Sequence, residues 1–314
     1  MKHLQNKAPQ HFLRKPDAMR RLGRTLTLIG ERCKVIAKLA LLLLLLTTYD
    51  YAQQESTPSS VILSPQTPRS QSSEEEFIKP SRPGVAISAE VHKAGVLQLE
   101  YGYDSNFRAD EFRAQHTAPM TLRFAASSRL LFEFDLDTVK SEVDGAEMRR
   151  TGVGDARLGV QVVALKDSEK HPALAFAYNV KLPSASEEKR LGTGRFDHRI
   201  AALLSKKLGP VDMDLNGAAL IVGREDSGGW IIGGQGALSF STEFENGFGL
   251  EGELSGQTKD DVQPKGLFAL GAMTYKVSRR FRLDAGMRFG LNPEVPHVGI
   301  FAGLTVGLGD LYRK

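Results

Sequence analysis

The sequence predicts an all-β fold, an antiparallel transmembrane β-barrel of about twelve strands. Three observations predict it: apolar and polar residues alternate with period two in segments of about ten residues, the connectors alternate between long and short, and charges avoid one face of each segment. A bundle of membrane helices is excluded, because 25% of the residues are charged and the mean hydropathy is −0.24. The 31 glycines also fit a turn-rich architecture.

The first element is an export signal in residues 1–52. This segment holds ten Lys or Arg against three Asp or Glu, whereas residues 53–314 hold 31 against 34. The basic stretch leads into an apolar run, residues 39–46, that is too short to span a bilayer. We therefore predict a cleaved signal peptide, with Met19 as an alternative start and an uncleaved anchor as the alternative. Because the basic excess belongs to this signal, no nucleic-acid partner is predicted.

The second element, residues 53–84, is rich in proline and serine. Residues 53–83 contain five prolines and eight serines, a composition that predicts a disordered periplasmic linker. The single cysteine, Cys33, lies in the signal, so the exported chain is predicted to have no thiol chemistry. The barrel is predicted to occupy residues 85–314. Residues 84–93 either add a strand or plug the lumen.

The barrel strands follow in order from the alternation. In the first strand, Leu97, Leu99 and Tyr101 share one face, while Gln98 and Glu100 share the other. The same pattern recurs along the chain, with turn residues between the segments. The predicted strands span residues 95–104, 120–126, 129–137, 155–166, 174–181, 196–206, 211–216, 230–244, 248–254, 266–276, 281–289 and 298–308.

The connectors distinguish a barrel from a soluble β-sandwich. Odd connectors are long or charged, as in residues 105–117 and 139–150, whereas even connectors are mostly short, as in residues 127–128 and the Asn246-Gly247 hairpin. Long loops at one end, short turns at the other and an even strand number are the layout of an outer-membrane barrel with both termini in the periplasm. A soluble sandwich has no reason to sort its loops in this way.

Aromatic residues lie near the strand ends, as expected for girdles at two membrane interfaces. Aromatic residues are also common in strands generally, so this observation supports the barrel without defining it. The predicted girdle on the long-loop side contains Tyr103, Trp230, Phe268 and Phe289, and that on the short-turn side contains Phe240, Phe244, Phe248 and Phe281.

Fifteen charged residues fall on the faces opposite to the apolar ones, and we predict that they line the lumen. They are Glu100, Arg123, Glu133, Asp135, Asp155, Arg157, Lys181, Arg199, Asp212, Asp214, Glu251, Glu253, Arg282, Asp284 and Arg288. They either line a narrow path or fill the interior as a salt-bridged plug. Unpaired acids would favour cations or polar neutral solutes, but neutralisation by the arginines is the preferred interpretation.

Several motifs give a family resemblance that covers residues 94–310. A Thr-Gly-Val-Gly-Asp turn at residues 151–155 leads into a strand, a later strand ends at residues 182–184 in Leu-Pro-Ser, and the closing strand begins Val298-Gly299-Ile300. In this order the motifs resemble the outer-membrane transporters of the MetA-pathway phenol-degradation family. The resemblance implies a gram-negative barrel that passes small solutes, aromatic or hydrophobic ones included. Its implied partners are outer-membrane lipid and the outer-membrane insertion machinery.

One feature departs from that resemblance. Barrels of this kind usually end in an aromatic residue that the insertion machinery reads, whereas this chain ends in Leu311-Tyr312-Arg313-Lys314. Either Tyr312 takes that role or the insertion signal is weak.

The predicted function is a narrow channel or transporter for small solutes, with a closed structural barrel as the alternative. An outer-membrane lipid hydrolase is the hypothesis from another class, and it would need a serine activated by a histidine on the lipid-facing side. His198, beside Asp197, is the candidate histidine, although a solvated histidine at a loop edge explains it better. No catalytic residue, metal site or cofactor is predicted.

Overall fold

The computed structural model of the chain describes residues 76–109, 112–224, 228–258 and 265–313. Within these ranges the chain forms thirteen strands. The described residues include no helix of the length and hydrophobicity that crossing a membrane requires. The strands are β1 Val96–Phe107, β2 Ala114–Ser127, β3 Leu130–Val143, β4 Arg149–Gly152, β5 Ala156–Leu165, β6 Ala173–Leu182, β7 Asp197–Leu208, β8 Val211–Gly223, β9 Trp230–Glu243, β10 Phe248–Gln257, β11 Gly266–Ser278, β12 Phe281–Gly290 and β13 Val298–Asp310.

The strands close into a barrel. Neighbouring strands pair antiparallel, and β1 pairs with β13 from Val96–Asp310 to Phe107–Val298, which joins the two ends of the sheet. β4 pairs with residues 140–143 at the far end of β3, and the rest of β3 pairs with β5. Twelve strands therefore form the wall, and β4 extends it locally as a hairpin. Closure pairs every strand edge, as lipid requires, and the predicted fold class is confirmed.

The outer face of the wall is apolar. Large side chains there are exposed rather than buried: Phe132 is 48% exposed, Ile232 79% and Leu267 58%. On the inner face, by contrast, Glu100 and Arg123 are almost completely buried. So much exposed apolar surface is unfavourable in water. The outer face is therefore the lipid-facing surface of a membrane-spanning barrel.

The two ends of the barrel differ, as the connectors predict. β1 begins and β13 ends at one end, which we call the short-turn end; the opposite end is the long-loop end. The short-turn connectors are residues 128–129, 166–172, 209–210, 244–247 and 279–280. The long-loop connectors are residues 108–113, 144–148 with 153–155, 183–196, 224–229, 258–265 and 291–297.

The strands at the long-loop end are longer than predicted. β1 continues to Phe107 and β2 begins at Ala114, so most of the predicted loop 105–117 is strand. β3 likewise continues to Val143, inside the predicted loop 139–150. Charged and polar residues occupy both faces there, so side-chain alternation is lost although backbone pairing continues.

The aromatic girdles are placed as predicted with one exception. Tyr103, Trp230 and Phe289 are about half exposed on the outer face of the long-loop half. The assignment of Phe268 is wrong: it lines a cavity inside the barrel. Its neighbour Leu267 takes the outward position, because the odd-numbered residues of β11 face outward, as the exposed Met273 and Tyr275 also do.

Residues 76–93 lie inside the barrel, and we call them the luminal segment. The backbone N–H of Lys93 donates to the carbonyl of Glu76 over 2.8 Å, so the segment enters and leaves at the short-turn end. Residues 76–84 were predicted as disordered linker, but hydrogen bonds to inward side chains hold them in place. Residues 84–93 plug the lumen rather than add a strand. The predicted signal, Cys33 and the linker up to residue 75 lie outside the described residues.

Candidate functional site in the barrel lumen

Fourteen of the fifteen predicted lumen residues lie on the inner face of wall strands, whereas Asp155 lies in the connector between β4 and β5. Asp212 and Arg282 lie at the short-turn rim, where they pair with Lys207 and Glu243. One cavity is lined by Glu133, Asp135, Arg157, Lys181 and Arg199, and another by Arg288. The luminal segment, residues 76–93, is bound by Glu100, Arg123, Glu253 and Asp284, and Glu251 lies beside its Gly84. Asp214 bonds to Ser205, and Asp155 binds the backbone of residues 184–185.

One anchor of the luminal segment is formed by Ser81 and Arg82. The backbone N–H groups of both residues donate to the Glu100 carboxylate, over 2.9 and 3.1 Å. The Arg82 guanidinium makes two parallel hydrogen bonds to Asp284, 3.2 and 3.1 Å long. A bidentate pair of this kind fixes orientation as well as position. Two acids on adjoining parts of the wall thus hold the start of the segment.

A second anchor is the Glu253 carboxylate. Its Oε2 accepts the backbone N–H groups of Val85 and Ala86, over 2.6 and 2.8 Å. Gly84 makes this approach possible, because a Cβ there would lie 2.2 Å from the same oxygen and 2.9 Å from Glu251. A buried carboxylate must be compensated by donors, and here the backbone of the segment supplies them.

The segment then crosses to the opposite wall. Asn216 brackets Ile87 as a neighbouring strand would: its Oδ1 accepts the Ile87 N–H over 2.8 Å, and its Nδ2 donates to the Ile87 carbonyl over 3.0 Å. The Ala89 N–H donates to Ser205 over 2.7 Å, and Gln161 donates to the carbonyls of Ser88 and Ala89. Polar side chains thus satisfy a backbone that runs outside the sheet.

Small wall residues make room for the crossing. Ala89 is fully buried in a cluster with wall residues of β5, β6 and β7. The wall members of this cluster are Val163, Ala173, Ala175, Ala177, Ala201 and Leu203. Alanines on the inner face of β6 leave space that a larger side chain would fill. The short-turn half of the lumen is therefore occupied by backbone and alanine-sized side chains.

The long-loop half contains two cavities. The first, about 330 Å³, is lined by Ser81, Gly84, Val85, Ile87, Glu133, Asp135, Arg157, Asn179, Lys181, Asp197, His198, Arg199, Leu220, Val222 and Gln235. The second, about 280 Å³, is lined by Val85, Asp104, Asn106, Gln115, Thr117, Pro119, Asp137, Lys140, Arg157, Gln235, Ser255, Gly256, Gln257, Phe268, Arg288 and Pro296. The two linings share Val85, Arg157 and Gln235. The two cavities adjoin at these residues and border the luminal segment, and we call them the two lobes of the long-loop space.

Ion pairs neutralise part of this half. Arg123 lies 3.2 Å from Glu133 and 3.6 Å from Glu100, and Lys181 pairs with Asp197. Arg288 lies 3.3 Å from Asp104. Across the ranges that the structure describes, Arg157 and Arg199 have no carboxylate within 4.0 Å, so they differ from the other lumen arginines.

Histidine geometry bears on the hydrolase hypothesis. His198 accepts or donates a 2.8 Å hydrogen bond with the Tyr178 hydroxyl and stacks on that ring. His116 lies 2.7 Å from Ser105 Oγ through Nδ1, but Ser105 has no exposed surface and Tyr103 shares the same nitrogen. A nucleophile needs access to its substrate.

Within the described part of the chain no group of three His, Cys, Asp or Glu is placed to hold a metal ion.

Some residues of the site escaped the sequence prediction. The lumen residues were predicted from charge on strand faces alone. That prediction therefore lacks the neutral anchors Asn216, Ser205 and Gln161 and the segment residues Arg82 and Gly84. A signal was present for the first three: polar uncharged residues also fall on inward positions of the alternation. Nothing in a proline- and serine-rich segment marks it as part of the lumen.

A closed barrel with a lipid-facing outer surface and a polar, partly filled lumen defines the class of transmembrane β-barrels. Within that class, the chain belongs to the family described as "Putative MetA-pathway of phenol degradation", whose sequence model matches residues 81–308. Comparison with curated proteins gives no significant match.

Several solved structures are similar to the chain at low sequence identity. An outer-membrane channel from Pseudomonas putida F1 is 16% identical, with a TM-score of 0.56; the match covers 72% of this chain and 99% of that one. The KdgM porin is 9% identical, with a TM-score of 0.46 and coverage of 68% and 99%. Outer-membrane phospholipase A from Escherichia coli is 12% identical, with a TM-score of 0.40 and coverage of 76% and 97%.

Proposed function

We propose that the protein is a narrow outer-membrane channel for small solutes. The observation that carries the proposal is the two-lobed space of the long-loop half, about 330 and 280 Å³ in size, which borders the luminal segment. Side chains alone fill a structural barrel. Here one end of the lumen is open space, and the other is filled by a separate piece of chain held through hydrogen bonds.

The kind of solute follows from the lining and the family. The space is mostly polar, with apolar patches such as Leu220 and Val222 in one lobe and Phe268 in the other. The family description refers to phenol degradation, and the similar structure from Pseudomonas putida F1 is described as an outer-membrane channel. Small aromatic compounds that carry polar groups are therefore the solutes we propose.

A closed structural barrel is the second candidate. The extent of hydrogen bonding between the luminal segment and the wall favours it, since the anchors at Glu100, Glu253 and Asn216 are all satisfied. The two candidates differ in whether the segment ever leaves the lumen.

We further propose that Tyr312 is the residue that the outer-membrane insertion machinery reads. Its ring is 58% exposed near the end of the chain, and it makes an edge contact with Phe124 at 6.1 Å. Its hydroxyl donates to the Ala126 carbonyl over 2.9 Å. An aromatic side chain is thus fixed against the outer wall at the short-turn end. Residues 1–52 would direct export before cleavage.

Planar-bilayer recording of the purified full chain tests the channel. We expect discrete conductance steps in KCl that change in size when Glu251 and Glu253 are replaced by Gln, because both carboxylates face the occupied lumen. The matched control is Asp212→Asn, since Asp212 lies at the rim and is half exposed. Silence in every condition, with a barrel that still shows heat-modifiable gel mobility, would favour the structural barrel.

A further inference from the structure

We propose that the solute of this channel is a small organic carboxylate, which the guanidinium groups of Arg157 and Arg199 bind in the long-loop half of the lumen. The inference rests on the proposed channel function, because it names the class of solute that the same space would take. It is argued from the charges of the two lobes, their apolar patches and the hydrogen-bonding partners of each arginine.

Arg157 stands where the two lobes meet. It is one of three residues common to both linings, so a solute in either lobe has this side chain at its border. In the part of the chain that the structure describes, this guanidinium has neither a hydrogen-bond partner nor an ion-pair partner. A guanidinium carries five N–H donors and stays charged at any physiological pH. Its donors therefore face the space itself.

Arg199 is held in place by neutral groups. Its Nε donates to Gln235 Oε1 over 2.8 Å, and its Nη1 donates to Asn179 Oδ1 over 3.4 Å. These amides orient the guanidinium without cancelling its charge, and Arg199 lines the first lobe. Arg157 on β5 and Arg199 on β7 are two strands apart, about 10 Å across the sheet. Long side chains from both can reach one carboxylate.

The nearby acids are mostly engaged elsewhere. Glu133 pairs with Arg123, Asp197 pairs with Lys181, and Asp135 accepts a 2.6 Å hydrogen bond from Thr121. Asp137 lines the second lobe together with Lys140 and lies beyond ion-pair distance of Arg157. An incoming carboxylate thus meets two guanidinium groups whose charge is balanced only at longer range.

The apolar patches define the rest of the solute. Leu220 and Val222 line the first lobe near Arg199, while Phe268 and Pro296 line the second. Binding sites for small molecules combine such surfaces with a few placed polar groups, in volumes of about 300–1,000 Å³. A carboxylate on a short apolar or aromatic body fits this pattern, and a neutral hydrocarbon would leave both guanidinium groups unpaired.

Calorimetric titration of the full chain in detergent with benzoate, and with the neutral analogue benzamide, tests the inference. We expect benzoate to bind at least about tenfold more tightly, because a charge-assisted contact exceeds about 1.4 kcal/mol, which is tenfold. Arg157→Gln and Arg199→Gln should each remove most of that preference and leave benzamide binding unchanged. Arg157→Lys, which keeps the charge, should retain part of it.

Arg282→Gln is the matched control, because Arg282 is also a barrel arginine but lies at the short-turn rim with Glu243. Heat-modifiable gel mobility confirms that each variant is folded. Equal affinity for benzoate and benzamide, or an unchanged preference in both Gln variants, would overturn the inference.

The outcomes separate this inference from the proposed function. Conductance in KCl with no benzoate preference refutes the carboxylate site and leaves the channel standing. A benzoate preference that depends on Arg157 supports the site, even in a barrel that never conducts, and then the channel is refuted instead.

Discussion

The two halves of the lumen are built from the same alternating strands but differ in what meets their charges. In the short-turn half, wall carboxylates such as Glu253 and Asp284 bind a segment of the chain itself. In the long-loop half, Arg157 and Arg199 face open space. Charged side chains in a lumen can therefore either hold a closing segment in place or form a binding site for a solute. The partner that each charge meets determines its role.

The short-turn half is closed through hydrogen bonds to the backbone of the luminal segment. The luminal segment is held by wall side chains that act on main-chain groups, among them Glu100, Glu253 and Asn216. A neutral bond of this kind is worth about 1 kcal/mol net and one to a carboxylate about 1.5–3 kcal/mol, so the closure is a sum of modest contacts. A closure of this kind can be weakened stepwise by single substitutions, which the following predictions use.

Removal of the luminal segment should have the largest effect. Deletion of residues 76–93 takes away the contents of the short-turn half, and we expect single-channel conductance to rise several-fold, because the long-loop space then continues through the barrel. The measurement is planar-bilayer recording of the deletion beside the full chain. Equal conductance in the two would mean that the segment does not limit the path.

A side chain at Gly84 should displace the segment without deleting it. In Gly84→Val the Cβ would fall 2.2 Å from Glu253 Oε2, so we expect a conductance between those of the full chain and the deletion. Gly252→Ala is the control on the same strand as Glu253, because a Cβ at Gly252 meets nothing within 4 Å. If Val at position 84 behaves like wild type, the Glu253 anchor is not part of the closure.

Loss of the Arg82 side chain should loosen one anchor. Arg82→Gln leaves Asp284 buried without its cation, and breaking a buried pair of this kind costs about 3 kcal/mol. We expect more frequent openings at unchanged conductance, together with faster proteolysis of the segment. The double variant Arg82→Gln/Asp284→Asn should recover most of the loss. Failure of the second substitution to compensate would show that the two residues are not coupled.

His92 should add a pH-dependent contribution to stability. Burial, and after it the positive charge of Arg123, lower the pKa of His92 from 6.5 to about 4. The folded state therefore binds fewer protons than the unfolded state, so the stabilisation is complete above pH 6.5 and is lost as the pH falls from 6.5 toward 4. The loss is of the order of 3 kcal/mol.

Unfolding midpoints of wild type and His92→Gln between pH 7.5 and 4.5 measure this contribution. Gln can still donate to the Val96 carbonyl, which His92 Nε2 contacts at 3.0 Å. We expect the variant to lose less stability on acidification. Parallel pH profiles would contradict the assignment.

The wall of the barrel could be predicted from the sequence, whereas of the lumen contents only residues 84–93 were predicted, as one of two alternatives. Alternation in segments such as residues 129–137 indicates which face contacts lipid, because a charged side chain on the lipid-facing side of any strand is unfavourable. The same physics places inward the fourteen charged residues that lie on wall strands. At strand ends beyond the membrane a charge on either face is not unfavourable in this way. β3 therefore continues to Val143, past residue 137, where the predicted strand ends.

The luminal segment could not be found in this way. It is neither apolar nor periodic, and its position depends on side chains more than a hundred residues away, such as Asn216 for Ile87 and Glu253 for Val85. Composition predicts disorder for such a stretch when no partner is known. The sequence also does not show which lumen acids form ion pairs and which arginines lack a carboxylate partner. That depends on geometry across the strands rather than on residue type.

Thiol labelling tests the central claim, that the luminal segment fills the short-turn half and leaves the long-loop half open. Apart from Cys33 in residues 1–52 the chain has no cysteine. Ala201 is buried beneath the segment, whereas Gln235 lines both lobes. With a charged thiol reagent we predict rapid labelling of Gln235→Cys in the full chain and in the 76–93 deletion, and labelling of Ala201→Cys only in the deletion. Equally rapid labelling of Ala201→Cys in the full chain would contradict the account.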